Sequence, residues 1–410
     1  MTSKTTIPDT ESPLPDPRTS DSGDPQGRPL TRVLLLLGGA LVVVVILVVV
    51  VTLVRLNQIE RVDFDQEAAR QALETVSDEE LAEIQEVVEE FEAEIIREEA
   101  QAEAESQAVA IQDGDLLERV REQLSDSEIN ASYLVPYATG TPVADAEHDT
   151  FLLLGTDLSE FRADVIILVM LPRDGSEPIL TSLPRDLYLP NPCTKRNSRI
   201  NAALFGCGDI VNGEELVALM VEDFTGVPID HFATVNFDGF TEVIDAFGGL
   251  EICVDYPVRD RKSDLSLPAG CTQADGEVVL QWVRSRSTQE LVNGTWRVME
   301  GVDDFARQQR QQDVLIDIAN KLVSFSSIAA LTDVAAGLAG SVTFDEGMDL
   351  PTLVQTAWNL RDVDLSSINR VQTGFRNYVT ESGAFVVVPT ESFTDAYDLA
   401  ALVFDIGATS

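Results

Sequence analysis

The chain has 410 residues, enough for about two or three structural units, with 28 basic side chains against 70 acidic ones and a formal charge of −42. An acidic surplus of that size repels a polyphosphate backbone and excludes nucleic acid as a partner. Much of the charge is local, because residues 58–130 hold 24 acidic and 5 basic side chains while the remainder is globular in composition.

Residues 1–32 are rich in Pro, Ser, Asp and Gly, which predicts a disordered tail. Val33–Val54 carries no charge and lies between Arg32 and Arg55, a stretch long enough to cross roughly 30 Å of hydrocarbon as a transmembrane helix. It is too long and too far from the start for an export signal that is removed. Arginines flank it on both sides, so loop charge barely orients it. Cysteines downstream place the long C-terminal part outside the cell membrane and the N-terminus in the cytoplasm. Residues 55–130 read as an acidic helical stalk. Within it Leu81, Ile84, Val88, Phe91 and Ile95 are spaced as a short coiled-coil seam. That seam has two readings, a homodimer formed through the stalk or a charged spacer helix packed on its own domain. Residues 131–149, with Pro136, Gly140 and Pro142, form a linker.

From residue 150 to 405 the pattern is that of one globular domain. Strands are predicted near 151–154, 164–171, 179–183, 231–237 and 249–254, and helices near 213–224, 238–247, 274–283 and 304–323. Their alternation implies an α/β fold, a mixed central sheet flanked by helices. The part after residue 325 reads as mostly helical, with one strand at Phe385–Val388, packed on the same core. Cys193, Cys207, Cys253 and Cys271 include no C-x-x-C pair, so a zinc site is poorly supported. Two disulfides are expected, most simply Cys193–Cys207 and Cys253–Cys271, one of three possible connectivities.

Charged residues gather where apolar runs begin or end. Asp157, Arg162 and Asp164 lie between the first two runs, and the third ends in Pro184-Arg185-Asp186. Arg162 and Asp164 are two apart and are expected on one side of a strand. Arginine forks fit phosphate oxygens, and paired carboxylates hold Mg²⁺ beside a phosphate. A second cluster has Arg284 and Arg286, then a helix opening at Asp303-Asp304. On that helix Asp304, Arg307 and Gln311 share a face with Arg310 at its edge, near an N-terminus suited to anions. Taken alone, this helix reads as an ordinary amphipathic helix with surface ion pairs. No phosphate-loop signature occurs; His148 and His231 stand apart and read as structural, and Gly248-Gly249 reads as a turn.

The pieces LLLGTD (152–157), RADVIILV (162–169), SLPRDLYL (182–189), RINAAL (199–204), TGVPIDHFATVNFDGFTEVIDAFGGLEICV (225–254), LPAGCTQADGEVVLQWVRSR (267–286) and DDFARQQRQQDVL (303–315) resemble the LytR-CpsA-Psr family. The resemblance implies a membrane-anchored phosphotransferase that moves a glycopolymer from a polyprenyl-pyrophosphate carrier to peptidoglycan with Mg²⁺, on a fold enclosing an apolar lipid pocket. It implies Asp157 and Asp164 as metal ligands with Arg162 beside them. Arg185, Arg284, Arg286, Arg307 and Gln311 match the pyrophosphate and head-group contacts, and Asp304 the acidic residue of the last motif. Arg199 stands where many members have Lys, keeping charge but changing geometry. With Arg310, it joins the expected substrate contacts. The segment between Arg286 and Asp303, which contains Trp296, is longer than usual and leaves Asp303 and Asp304 as alternatives for one role. Asp164 and Asp304 are the candidate general bases. A second reading is a silent lipid- or glycan-binding anchor that assembles an envelope complex through its stalk; a third is a pyrophosphatase with water as acceptor.

Overall fold

Seven strands make the central sheet: β1 (Arg61–Val62), β2 (His148–Thr156), β3 (Ala163–Pro172), β4 (Ile179–Leu183), β5 (His231–Val235), β6 (Thr343–Asp345) and β7 (Asn369–Arg370). The computed structural model describes residues 61–110, 148–157, 161–173, 177–299, 304–327, 340–363, 365–380 and 384–393, together with 334 and 396. The strand order is β1-β6-β5-β2-β3-β4-β7. β1–β6, β5–β2 and β4–β7 pair in parallel and the other neighbours antiparallel, so the sheet is mixed as expected. The long apolar runs of β2 and β3 suit a sheet covered on both faces.

Alternation divides those runs between the two faces. Leu152 and Leu154 of β2, Ile166, Leu168 and Met170 of β3, and Phe232 of β5 enter one buried core. They pack there with Leu216, Val217, Leu219 and Met220 of α3 (Gly213–Thr225), a helix capped by Asn212 and ended by left-handed Gly226. On the other side lie α4 (Phe237–Ala246), α5 (Gly276–Arg284) and α6 (Asp304–Ser324), which share a second core containing Ile244, Val279, Val283 and Val314. Asn236 and Asp275 cap α4 and α5, each accepting from an amide in the first turn. Gly276 permits a close approach between these helices, since a Cβ there would fall 2.3 Å from the Thr241 carbonyl oxygen.

Several expectations change. The predicted strand near 249–254 forms, as Leu250–Val254, but pairs with Gly270–Ala274 outside the central sheet. The left-handed pair Gly248-Gly249 turns the chain into it. Residues beyond 325 supply β6, β7 and the hairpin Phe375–Val379/Phe385–Pro389 as well as the helix Leu350–Asn359. Val371, Phe375, Phe393 and Ala396 pack on the main core, while Ala384, Val386 and Val388 of the hairpin form a small cluster with Ile96, Tyr188 and Tyr378; among the described residues, short strands stand where helix was expected. The loop after Arg286 contains a second hairpin, Gln289–Val292/Thr295–Val298, turned by left-handed Asn293-Gly294. Both expected disulfides are present, Cys193–Cys207 and Cys253–Cys271, the second across a directly opposed strand pair.

The described part of the predicted stalk is knitted into the domain. β1 joins the sheet edge, and Ala69 and Leu73 of α1 (Gln66–Thr75) enter the core beside α3. On α2 (Asp78–Ala110), Val88 and Ile95 are buried, Ile84 packs against the main core, and Phe91 stacks on Phe205 at 4.5 Å. The heptad seam thus faces its own domain, the second of its two readings. The predicted tail 1–32, transmembrane segment 33–54, stalk ends 55–60 and 111–130 and linker 131–149 lie outside the described residues, apart from His148 and Asp149, which open β2. Among the described residues no helix is long and apolar enough to cross a membrane.

Candidate active site

Among the described residues, the sheet face turned away from α3 is only partly covered. Between it and α4, α5 and α6 lies a cavity of about 470 Å³. That volume is within the roughly 300–1,000 Å³ of ligand pockets and well above the ~150 Å³ of a packing void that stays dry. Leu153 and Gly155 of β2, Val165 and Ile167 of β3, and Ala233 and Val235 of β5 form the sheet wall. These are the residues that alternate with the core-facing set, and the ladder holds them in register: Leu153 opposes both Ile167 and Ala233. Phe237, Phe240 and Val243 of α4 and Leu280 and Val283 of α5 close the other side. From α6 come Arg307, Gln311, Val314, Leu315 and Ile318, one helical face that is polar near the N-terminus and apolar further on.

Ionic residues line the same cavity: Asp164, Arg185, Arg284, Arg286 and Arg307, with Gln311. Side chains from positions 164 to 311 therefore line one cavity. Asp164 gets there by an irregularity. Gly155 pairs with Val165 and Thr156 with Ala163, so Asp164 is the extra residue of a β-bulge and reaches the cavity beside its neighbour Val165. Its Oδ1 accepts from Arg185 Nη1 at 2.6 Å. Arg185 Nε also lies 3.5 Å from Asp186. The Arg284 guanidinium stands 4.3 Å above the Phe237 ring, a cation–π contact that fixes it at the end of α5.

Four expected site residues are placed elsewhere. Arg162 is outside the strand, and the bulge breaks its alternation with Asp164. Its Nε and Nη2 instead donate to Asp157 Oδ2 at 3.0 and 2.7 Å, and neither residue lines the cavity. Arg199 is buried under the wall, 3.6 Å from Asp186 and near Glu92 of α2, whose carboxyl is raised by burial against the pull of Arg199. It supports Arg185 through their shared neighbour Asp186. Arg310 points away from the cavity and donates to Thr288 Oγ1 and to the Ser285 carbonyl, over Trp282. One turn of α6 separates Arg307 from Arg310, and only the former faces inward. The side chain of Asp304 lies outside the described residues. Asp260, which holds the turn after Arg284, has no counterpart in the sequence reading. It lies in YPVRD, a run with no distinguishing spacing.

Of the two carboxylates expected to hold Mg²⁺, Asp164 alone lines the cavity, and both already accept from arginines, Asp164 from Arg185 and Asp157 from Arg162. Asp164 presents a carboxylate at the cavity and Asp157 follows the adjacent strand, and Mg²⁺ commonly takes one or two carboxylates and completes its shell with phosphate oxygens and water. Among the described residues, the one group of three ligand-type side chains is Glu251, Cys253 and Cys271, whose cysteines are joined in a disulfide. An apolar cavity ending in four arginines and a carboxylate suits an amphiphile with a hydrocarbon body and a multiply charged anionic head.

The model of the family described as LytR_cpsA_psr matches residues 101–396. The probable cell wall biosynthesis protein LcpB of Corynebacterium glutamicum is 31% identical over 207 residues, covering 50% of this chain and 46% of that protein. The polyisoprenyl-teichoic acid–peptidoglycan teichoic acid transferase TagU of Bacillus cereus is 29% identical over 207 residues, covering 50% of this chain and 62% of that protein. The chain thus spans about half of the former and three-fifths of the latter. Among solved structures, B. subtilis TagV shares the fold, with a TM-score of 0.50, 21% identity, and coverage of 63% of this chain and 96% of that one.

Proposed function

We propose, from the premise that the chain belongs to the LytR_cpsA_psr family, that it is a membrane-anchored phosphotransferase acting outside the cytoplasm. It carries a glycopolymer from a polyprenyl-pyrophosphate carrier to a hydroxyl of peptidoglycan. One observation bears most of this reading: the apolar cavity has Arg185, Arg284, Arg286 and Arg307 on its lining. The relatives named for cell wall biosynthesis and teichoic acid transfer support the substrate class.

In this mechanism the first isoprenoid units lie along Leu153, Ile167, Val314 and Ile318, and the pyrophosphate meets the arginines. The acceptor hydroxyl oxygen attacks the glycan-side phosphorus as the bond to the bridging oxygen breaks. The electron pair leaves with polyprenyl phosphate. Arg185, Arg284, Arg286 and Arg307 neutralise the charge that grows on the departing oxygens. Asp164 would hold Mg²⁺ at the cavity, with Asp157 able to join it only on release from Arg162, and the ion would supply further charge neutralisation at the phosphates. Asp164 or Asp304 would take the hydroxyl proton as general base.

The test uses the full chain in detergent with Mg²⁺, a polyprenyl-pyrophosphate oligosaccharide and a peptidoglycan fragment. Mass spectrometry should find polyprenyl monophosphate and a phosphodiester-linked glycan in equal amounts. Arg284→Ala should lower turnover by about 10²-fold or more, as for other lost charge-stabilising donors. Undiminished turnover in both Arg185→Ala and Arg284→Ala would overturn the proposal.

A further inference from the structure

The end of α5 is held by a buried set of polar groups outside the cavity. Asp260, Ser285 and Thr288 are 2%, 0% and 0% exposed. Asp260 Oδ2 accepts from Ser285 Oγ at 2.6 Å, from the Ser287 amide at 2.9 Å and from the Arg286 amide at 3.1 Å. Its Oδ1 accepts from the Lys262 amide at 2.9 Å. Ser285 Oγ donates to Asp260, so the 2.5 Å contact with Thr288 Oγ1 is donated by Thr288. Arg310 Nη1 then donates to Thr288 Oγ1 at 3.2 Å, and Nη2 donates to the Ser285 carbonyl.

The connections matter because of what flanks them. Arg284 and Arg286 bracket Ser285 and line the cavity, as do Arg307 and Gln311 on the same helix as Arg310. Two guanidinium groups two residues apart repel each other, and an unsupported turn would let them part. Asp260 opposes this by binding the turn through consecutive amides and placing a negative charge behind it. Arg310 fastens that turn to α6, which carries the other half of the grip. Burial would raise the Asp260 carboxyl, but the bonds from Ser285 and the three amides outweigh it, and it titrates below the usual carboxylate range. It therefore stays charged at neutral pH.

We infer that Asp260 and Arg310, acting through Ser285 and Thr288, are positioning residues that pre-set the Arg284, Arg286 and Arg307 guanidiniums for a diphosphate head group. The inference rests on the reading given under Proposed function. Fixing charged donors before the ligand arrives removes their reorganisation from the cost of binding and of transfer. The brace should therefore act on the anionic head alone and leave the hydrocarbon walls untouched.

The experiment compares geranylgeranyl pyrophosphate with geranylgeraniol, which has the same tail and no phosphate, by equilibrium binding to the full chain in detergent. The wild type should prefer the pyrophosphate, and Arg284→Ala should abolish that preference. A wild type with no preference would refute the phosphotransferase reading itself and not the brace alone. Asp260→Asn should weaken pyrophosphate binding about tenfold with alcohol binding unchanged. Thr288→Val, which keeps shape and removes one link, should weaken it about threefold, and it decides the matter if Asp260→Asn does not fold. Equal loss for both ligands, or no loss for either, in the folded variants would overturn the inference while the preference of the wild type stood.

Discussion

Asp164 shows how one inserted residue can place a charge. A regular strand would carry Arg162 and Asp164 to the same side; the bulge instead separates them and turns Asp164 toward Arg185. Spacing in the sequence names both residues but not this pairing, because alternation assumes a regular ladder. Asp164→Asn keeps the shape and removes the charge. It should lower turnover with Mg²⁺ by about 10²-fold or more while leaving geranylgeraniol binding as it was; unchanged turnover would remove Asp164 from the chemistry. His231 offers a residue-scale test of the fold. Its Nδ1 lies 3.1 Å from buried Asp345, with Asp230 and Asp149 also facing it; the Asp345 bond, opposed by burial, raises its pKa. A raised folded pKa gives stability that is complete below the ordinary value of about 6.5 and is lost as pH rises through the folded value. The melting temperatures of wild type and His231→Gln should therefore differ more at pH 5.5 than at pH 8.5, as read by circular dichroism, and an equal gap would contradict the pairing.

At the scale of elements, the long apolar runs were legible, and β2, β3, β4, β5 and α3 to α6 stand near their predicted places. What sequence could not show was what each face meets. The 3,4,3,4 spacing of Leu81 to Ile95 suits a partner helix and the domain surface equally well, and tertiary packing chose the latter. Val88→Asp would bury an unpaired charge and should cost about 2–4 kcal/mol. The expected result is a lowered unfolding midpoint with unchanged mass in analytical ultracentrifugation. Dissociation of a dimer with an unchanged midpoint would restore the dimerising stalk. Strands of two or three residues, β1, β6 and β7, carry no period of their own and take their form from the sheet edge. Asn293-Gly294, in contrast, is a direct hairpin signal that the long loop after Arg286 obscured.

Over the whole molecule, one division organises the rest. The core-facing half of each central strand is filled by α3, and the other half lines a cavity whose ionic end is assembled from β3, the segment after β4, the end of α5 and the first turns of α6. The arginines were legible as types and motifs; their separation into cavity-lining and bracing groups was not, because it depends on which side of a helix or turn meets the sheet. Arg307 and Arg310 are three apart on one helix and do different work. The decisive measurement is a crystal structure of the protein soaked with geranylgeranyl pyrophosphate and Mg²⁺. It should show the diphosphate among Arg185, Arg284, Arg286 and Arg307 and the hydrocarbon along Leu153, Val314 and Ile318. A diphosphate bound away from those arginines, or a tail lying outside the cavity, would contradict the account.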